Sequence, residues 1–233
     1  MGLYGRLCPR ERVKVMQSYP KGVGRMTKRF RLICLIVMLG ALPLSGGTSK
    51  VSVTGFYALS SGKESVTLLG VPAEGEAKAH AIGLKVQGTS VFSPFSDVGL
   101  SYKAALSKTL LASVDGVSHD PIDDPLMLVV GVGGAYQIRP SLNMRIELGG
   151  GLDYSIQSQT ESGVQTTYNM CSVTTYAEFN YAIRFNIFLN VGISISYPLG
   201  GTVRTKGGGT TTTGDVNSSV FTFAPYVGVA FSY

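Results

Sequence analysis

The chain ends with the stretch VFTFAPYVGVAFSY, residues 220–233. Bulky apolar side chains alternate here with mostly small or hydroxylated ones, which is the pattern of a β-strand with two unlike faces. A soluble domain rarely ends this way, because a terminal apolar strand frays and offers an unpaired edge for aggregation. In a closed membrane barrel that edge is paired, and a terminal aromatic ring is stable where lipid meets water. The ending therefore favours a membrane β-barrel.

Positive charge is concentrated at the start of the chain. The formal net charge is +6 at pH 7, but residues 1–47 contain nine Lys or Arg and one acid, Glu11, for a net charge of +8. The rest of the chain therefore carries −2. A protein that binds nucleic acid holds its positive charge on the folded domain, so no nucleic-acid partner is predicted.

The segment 26–47 has the three parts of a secretory signal peptide. Residues 26–31 include three basic residues, residues 32–44 are apolar and residues 45–47 are small, which predicts cleavage near Gly47 or Ser49. An uncleaved anchor is the alternative, although a transmembrane helix needs about 20 apolar residues. Residues 1–25 are predicted to be a non-structural extension, read from a start codon placed too far upstream, or else a genuine cytoplasmic extension. The folded domain is predicted to be 48–233.

Two-residue periodicity continues through the predicted domain. It is clearest in Leu142–Ile156, where one face is apolar or Gly and the other includes Arg145, Glu147 and Asp153. This segment exceeds the usual soluble strand of about 5–6 residues and is long enough for a tilted membrane strand of about 9–11. Alternating segments are found at 51–59, 82–87, 98–106, 126–138, 142–156, 171–183, 187–197 and 220–233.

The joins between these segments also differ in length. Those at 139–141 and 184–186 are tight, whereas long polar joins lie at 60–77, 107–125, 157–169 and 198–219. The last of these is of low complexity and is expected to be mobile. Short turns at one end and long loops at the other are typical of outer-membrane barrels. The sequence therefore predicts an all-β fold: an eight-stranded antiparallel up-and-down transmembrane β-barrel, preceded by a signal peptide.

A secreted soluble barrel of the lipocalin type is the structural alternative. In such a barrel the bulky apolar face points inward. Here the other face mixes small, hydroxylated and charged residues, which suits the narrow interior of eight strands. The apolar face has no Lys or Arg, either of which would cost about 2–4 kcal/mol at mid-bilayer. The membrane barrel is therefore favoured.

Six charged residues fall on the face predicted to line the interior. They are Lys85, Lys103, Arg145, Glu147, Asp153 and Glu178. Buried charges are stable only when they are paired. These residues are predicted to form either a structural ladder of ion pairs or a gate in a narrow polar passage.

No catalytic residue, metal site or cofactor is predicted. His119 and Asp120 lie near Asp123 and Asp124 in one long join. An isolated His-Asp pair in an acidic loop is a weak sign of catalysis, and the carboxylates lack the spacing of a calcium site. Cys171 is the single cysteine of the predicted domain, which excludes an internal disulfide and a cysteine-based metal site.

Several segments resemble small outer-membrane barrels. The ending Tyr226–Tyr233 is similar to their C-terminal assembly signal, and the Gly-rich stretches 130–136 and 149–154 resemble the central hairpin of the OmpW-like family. The resemblance implies an integral protein of the bacterial outer membrane, surrounded by its lipids and inserted by the barrel assembly machinery. The residues that would form the assembly signal are Val227, Val229, Phe231 and Tyr233.

The same resemblance implies a function. OmpW-like proteins form narrow channels for small hydrophobic solutes, although the charged interior predicted here differs from the apolar lining of that family. The alternative is a non-conducting surface scaffold or adhesin, whose long loops bind host surface molecules. An enzyme is the least favoured of the three functions.

Overall fold

The computed structural model describes residues 47–68, 71–92, 98–115, 117–119, 126–161 and 163–232. The predicted extension 1–25 and signal peptide 26–47 lie outside these residues, apart from Gly47, and so does Tyr233. None of the described residues belongs to a helix long and apolar enough to cross a membrane.

Ten strands account for almost all of the described chain. They are β1 Gly47–Leu68, β2 Val71–Phe92, β3 Val98–Val114, β4 Val117–His119, β5 Met127–Ser141, β6 Met144–Glu161, β7 Val164–Arg184, β8 Ile187–Gly207, β9 Thr210–Ser218 and β10 Phe221–Ser232. Eight of them form a ring in the order β1-β2-β3-β5-β6-β7-β8-β10, which closes because β10 pairs with both β8 and β1. All pairings in the ring are antiparallel, so the predicted eight-stranded up-and-down barrel is confirmed.

The barrel has an apolar exterior and a polar interior. Outward side chains are well exposed, with Leu100 at 73% and Val132 at 63%. Inward polar side chains are buried, with Glu147 at 1% and Asn190 at 0%. A soluble barrel needs the opposite arrangement, because apolar surface is stabilised by leaving water. An apolar exterior is stable in lipid, where the closed ring also satisfies the backbone hydrogen bonds.

The two ends of the barrel are built differently. At one end, which we call the turn end, residues 142–143 and 185–186 form two-residue turns, and β1 and β10 pair there from Lys50 and Ser232. At the other end, strands continue beyond the ring as paired hairpins. We call this extension the crown, and define it as residues 60–68, 71–78, 157–161, 163–170, 200–207 and 210–218.

The crown corrects the prediction of long loops at 60–77, 157–169 and 198–219. β1 and β2 stay paired as far as Leu68 and Val71, and β9 pairs with β8 on one side and β1 on the other. These segments do not alternate apolar and polar residues, so their sequences predict loops. They still form strands, because strand pairing requires only backbone donors and acceptors. The expected mobile loop at 198–219 is therefore a hairpin. Its turn, Gly208-Gly209, has φ of 56° and 81°, the left-handed pair that a tight hairpin needs.

The remaining long join, 107–125, is also partly ordered as strand. β3 extends to Val114, and β4 folds back to pair with it. Beyond Ser107 and Met127 no further pairs join β3 to β5 among the described residues. The described pairing of β5 thus stops at Met127, level with Ser107 of β3, whereas β6 and β7 stay paired as far as Glu161 and Val164.

Candidate functional site in the barrel interior

Two carboxylates face each other inside the barrel near the turn end. Glu147 on β6 and Glu178 on β7 are direct cross-strand partners, and both side chains are buried. Like charges in this position destabilise a sheet. Lys50 on β1 offsets this repulsion from the opposite side of the interior. Its Nζ lies 3.2 Å from Glu147 Oε2 and also donates a hydrogen bond to Glu178 Oε1.

Neutral donors complete the coordination of both carboxylates. The Tyr176 hydroxyl donates to Glu147 Oε1 at 2.7 Å, and the Tyr226 hydroxyl donates to Glu178 Oε2 at 3.0 Å. Asn180 Nδ2 also donates to Glu178 Oε1 at 2.9 Å. Charged hydrogen bonds of this kind are about twice as strong as neutral ones. We call Lys50, Glu147, Tyr176, Glu178 and Tyr226 the plug.

Two glycines give the plug tyrosines their space. A Cβ added at Gly149 would collide with the Tyr176 ring, and one added at Gly192 would collide with the Tyr226 ring. Each glycine lies beside its tyrosine on the neighbouring strand, Gly149 opposite Tyr176 and Gly192 opposite Tyr226. The interior is narrow enough that a large inward ring requires a missing side chain next to it.

A second ion pair lies farther from the turn end. Lys103 on β3 and Asp153 on β6 are separated by β5, and Gly131 is the direct partner of both. Because Gly131 has no side chain, Lys103 Nζ reaches across β5 to within 2.7 Å of Asp153 Oδ2. Any Cβ at position 131 would collide with the Asp153 carboxylate.

The other two interior cations contact aromatic rings. Lys85 Nζ lies 4.6 Å from the centroid of the Tyr226 ring, and Arg145 Cζ lies 5.7 Å from that of Phe188. Both distances are within the range of cation–π attraction. All six charged residues predicted to face the interior are thus inside the barrel, four in the two ion-paired groups and two against rings.

A cavity of about 310 Å³ lies in the interior on the crown side of the plug. Tyr176 and Tyr226 of the plug line one end, and Ser107 and Met127 line it where β3 and β5 separate. Most of the remaining lining is Gly, Ser and Thr, together with Lys85, Lys103 and Asp153. The interior thus has a part filled by the plug and, on its crown side, an open part lined by many small polar residues.

Sequence reasoning missed three members of the plug. Lys50 adjoins the predicted cleavage position near Ser49 and was given no role by the sequence, whereas in the structure it is the cation between two buried carboxylates. Tyr176 and Tyr226 interrupt an inner face of otherwise small residues, and their pairing with Gly149 and Gly192 is the signal that could have identified them. That signal depends on register, which the sequence alone does not give.

The other predicted residues are found as follows. Val227, Val229 and Phe231 of the proposed assembly signal point outward on β10 and are exposed, and Tyr233 lies outside the described residues. His119 falls in β4, whereas Asp120, Asp123 and Asp124 are not among the described residues. Within the described part of the chain, no group of His, Cys, Asp and Glu could hold a metal ion.

Comparison with known proteins gives the fold class. No family model matches the chain, and no curated protein matches its sequence. The outer membrane protein OprG of Pseudomonas aeruginosa is similar in structure, with a TM-score of 0.51 and 13% identity over 81% of this chain and 96% of OprG. Neisserial surface protein A has a TM-score of 0.47 and 14% identity over 81% of this chain and 98% of its own.

The N-terminal barrel domain of OprF from P. aeruginosa is a further structural neighbour, with a TM-score of 0.43 and 14% identity over 80% of this chain and 99% of that domain. At such identities the likeness shows a fold alone. The chain has the fold of small bacterial outer-membrane β-barrels such as OprG.

Proposed function

We propose that this protein is a barrel closed at rest, which serves as a surface scaffold and presents its crown to molecules outside the cell. The plug is the observation that carries this proposal. Its two carboxylates are buried and ion-paired, and hydroxyl groups fill their remaining acceptor positions. Passage through the interior would require these contacts to break, and breaking a buried ion pair costs about 3–5 kcal/mol.

The lining of the interior does not favour an apolar solute. An apolar molecule in the cavity would cover Lys85 and several serine and threonine hydroxyl groups without offering them a hydrogen bond, which is unfavourable. A channel for small polar solutes is the second candidate. The cavity favours it, because the plug and the inward side chains nearer the turns, among them Asn190 and Arg145, are what separate that space from the turn end.

The crown has the properties of a prearranged binding surface. β9 pairs with β8 and β1 at once, so the β1–β2, β6–β7 and β8–β9 hairpins form one continuous sheet. Val203 and Val216 are buried within it, at 2% and 1% exposure. A preorganised surface loses little conformational entropy on binding. A crown held by paired strands therefore supports a role in recognition more strongly than mobile loops would.

Three further assignments stay predictions of the sequence. They are membership of the OmpW-like family, export through the signal peptide 26–47, and recognition of the C-terminal residues by the barrel assembly machinery. An enzymatic role is not proposed.

Conductance in planar lipid bilayers separates the two candidate functions. The scaffold proposal expects no channel openings from the wild-type barrel. A Tyr176→Ala, Tyr226→Ala double variant, which removes the rings that line the plug side of the cavity, should conduct and thereby show that the assay detects a passage. Steady conductance from the wild type would overturn the scaffold proposal in favour of the polar channel.

Adhesion of bacteria to an epithelial monolayer tests the crown. Arg204 and Lys206 are exposed on the crown, and Arg139 and Arg184 are exposed at the turn end, which provides a matched pair of double variants to Ser. The crown variant should lower adhesion and the turn-end variant should not. Equal adhesion by bacteria with and without the wild-type protein would contradict the proposal.

A further inference from the structure

The crown sheet has an open edge along β2. Within the barrel wall β2 lies between β1 and β3, but its pairing with β3 ends at Ala79 and Val114. From Lys78 to Val71, β2 continues beside β1 alone. β4 lies on the other side of β3, so it does not reach this edge. Among the described residues, no strand pairs with this length of β2 on the side away from β1.

The backbone of Lys78 shows which groups face the open side. Its C=O accepts a hydrogen bond from the Asp115 N–H at 2.8 Å, and its N–H donates to Asp115 Oδ1 at 3.0 Å. Successive residues of an antiparallel strand direct their backbone groups to opposite neighbours. Glu76, Glu74 and Pro72 therefore direct theirs to the open side, as Lys78 does. Pro72 fits this position because it has no N–H to leave unpaired.

Asp115 explains why β3 leaves this edge. Its φ of 50° is left-handed and turns the chain into the β3–β4 hairpin. Beyond this point, the N–H groups of Glu74 and Glu76 and the C=O groups of residues 72, 74 and 76 have no partner among the described residues. Residues 72–76, which we call the open edge, are all exposed. Such an edge is a template for an added strand.

The side chains at the open edge indicate what would dock there. Glu74 and Glu76 lie on one face of β2, because alternate residues share a face. On the other face, Ala73 continues a row that contains Val66 and the buried Val216. An added strand would place alternate side chains next to the two carboxylates and the others next to this row. Basic residues that alternate with apolar ones therefore suit the open edge.

The same carboxylates disfavour a second copy of this chain. If two open edges paired about Gly75, Glu74 of each copy would lie opposite Glu76 of the other. Pairing about either glutamate would set that residue opposite its own equivalent. Like charges directly opposite each other destabilise a sheet. The open edge thus discriminates between added strands by their charge.

We propose that the open edge is a docking site for an extended segment of another protein, in which Lys or Arg alternates with apolar residues and which adds one strand to the crown sheet. Backbone hydrogen bonds supply affinity, and Glu74 and Glu76 select the basic side chains. The inference deepens the proposed function and rests on it, since the crown must face outside the cell to meet such a partner. Peptide binding to the purified barrel tests the site itself, whereas conductance and adhesion test the scaffold role, so the two can fail separately.

Fluorescence anisotropy with the folded barrel in non-ionic detergent measures the docking. The probe is a short labelled peptide in which lysine alternates with valine. One comparison peptide has glutamate in place of lysine, and the other keeps lysine but is methylated on the backbone amides of its lysines, so it cannot pair as a strand. Only the unmodified lysine–valine peptide should bind. Equal binding by either comparison peptide would overturn the proposal.

Variants then locate the binding at the open edge. Glu74→Gln removes one charge and should weaken binding of the lysine–valine peptide. Glu74→Pro removes the same charge and also the N–H on the open side, so it should weaken binding by about a further fivefold or more. Asp215→Asn is the matched control, because Asp215 is exposed on β9 and separated from β2 by β1; it should bind as the wild type does.

Each variant is first shown to be folded by its gel mobility before heating. If Glu74→Pro and Glu74→Gln bind the peptide equally, charge alone holds it and the strand-addition site does not exist. If Asp215→Asn weakens binding as much as Glu74→Gln does, the attraction belongs to the charge of the whole crown, and the assignment to the open edge is wrong.

Discussion

Replacing Lys50 by Met should destabilise the barrel far more than the loss of one surface charge. The methionine side chain is apolar and similar in length, so the change removes charge while largely keeping volume. Glu147 and Glu178 then face each other, buried and without a cation. Removing one partner of a buried ion pair costs about 3–5 kcal/mol.

The geometry places the expected value at the lower end of that range. Both carboxylates keep hydrogen bonds from Tyr176, Tyr226 and Asn180 after the substitution. A loss of about 3 kcal/mol lowers the folded-to-unfolded ratio by about 100-fold. Lys63→Met is the control, because Lys63 pairs with Glu76 at 2.9 Å with side chains 75% and 74% exposed. Such a pair contributes roughly 0–1 kcal/mol.

Urea unfolding in phospholipid vesicles measures the difference. The folded fraction is read from the gel mobility of unheated samples, since the chain has no Trp for fluorescence. Adding Glu147→Gln and Glu178→Gln to Lys50→Met should recover much of the loss, because neutral amides do not repel each other. The reasoning fails if Lys50→Met and Lys63→Met shift the midpoint equally, or if the two added substitutions make the barrel less stable still.

Two further predictions follow from the interior. Gly149→Ala should lower the folded fraction, because its added Cβ would displace the Tyr176 ring. Gly134→Ala should be tolerated, because its added Cβ would lie 3.9 Å from the nearest atom, and the unfolding midpoints of the two variants measure the difference. In a chain whose native cysteines are replaced, Ser194→Cys lines the cavity and should react with a charged sulfonate thiol reagent in vesicles, whereas Ile193→Cys faces lipid and should not. Equal labelling rates measured by mass spectrometry would contradict the assignment of the two faces.

The sequence predicted the ring and its two faces because lipid outside and a narrow interior impose strict alternation on every strand. Leu142–Ile156 displays this requirement directly, and the structure places its residues 144–156 in β6 with the charges inward. The crown was not predicted, because most of its residues are polar or glycine, so its strands do not alternate apolar with polar side chains. The segment at 198–219 therefore has the composition of a loop even though β8 and β9 pair within it, from Gly201–Val216 to Gly207–Thr210.

The interior was predicted only in part. Alternation was enough to assign Lys85, Lys103 and Glu178 to the inner face. Their partners depend on register, which places Gly131 between Lys103 and Asp153 and sets Glu147 opposite Glu178. Lys50 was missed for a different reason: its role depends on ring closure, which brings β1 toward strands far away in the chain.

That wide separation links the plug to the order in which the barrel assembles. Lys50 contacts residues 97 and 128 positions later, on strands that can reach it only once the ring is complete. Until β1 meets β10, the neighbouring glutamates on the β6–β7 hairpin have no cation, so an open sheet carries an electrostatic penalty that closure removes. Closure of the barrel is thus favoured by charge neutralisation in its interior as well as by the backbone hydrogen bonds between β1 and β10. A partly closed intermediate is correspondingly disfavoured.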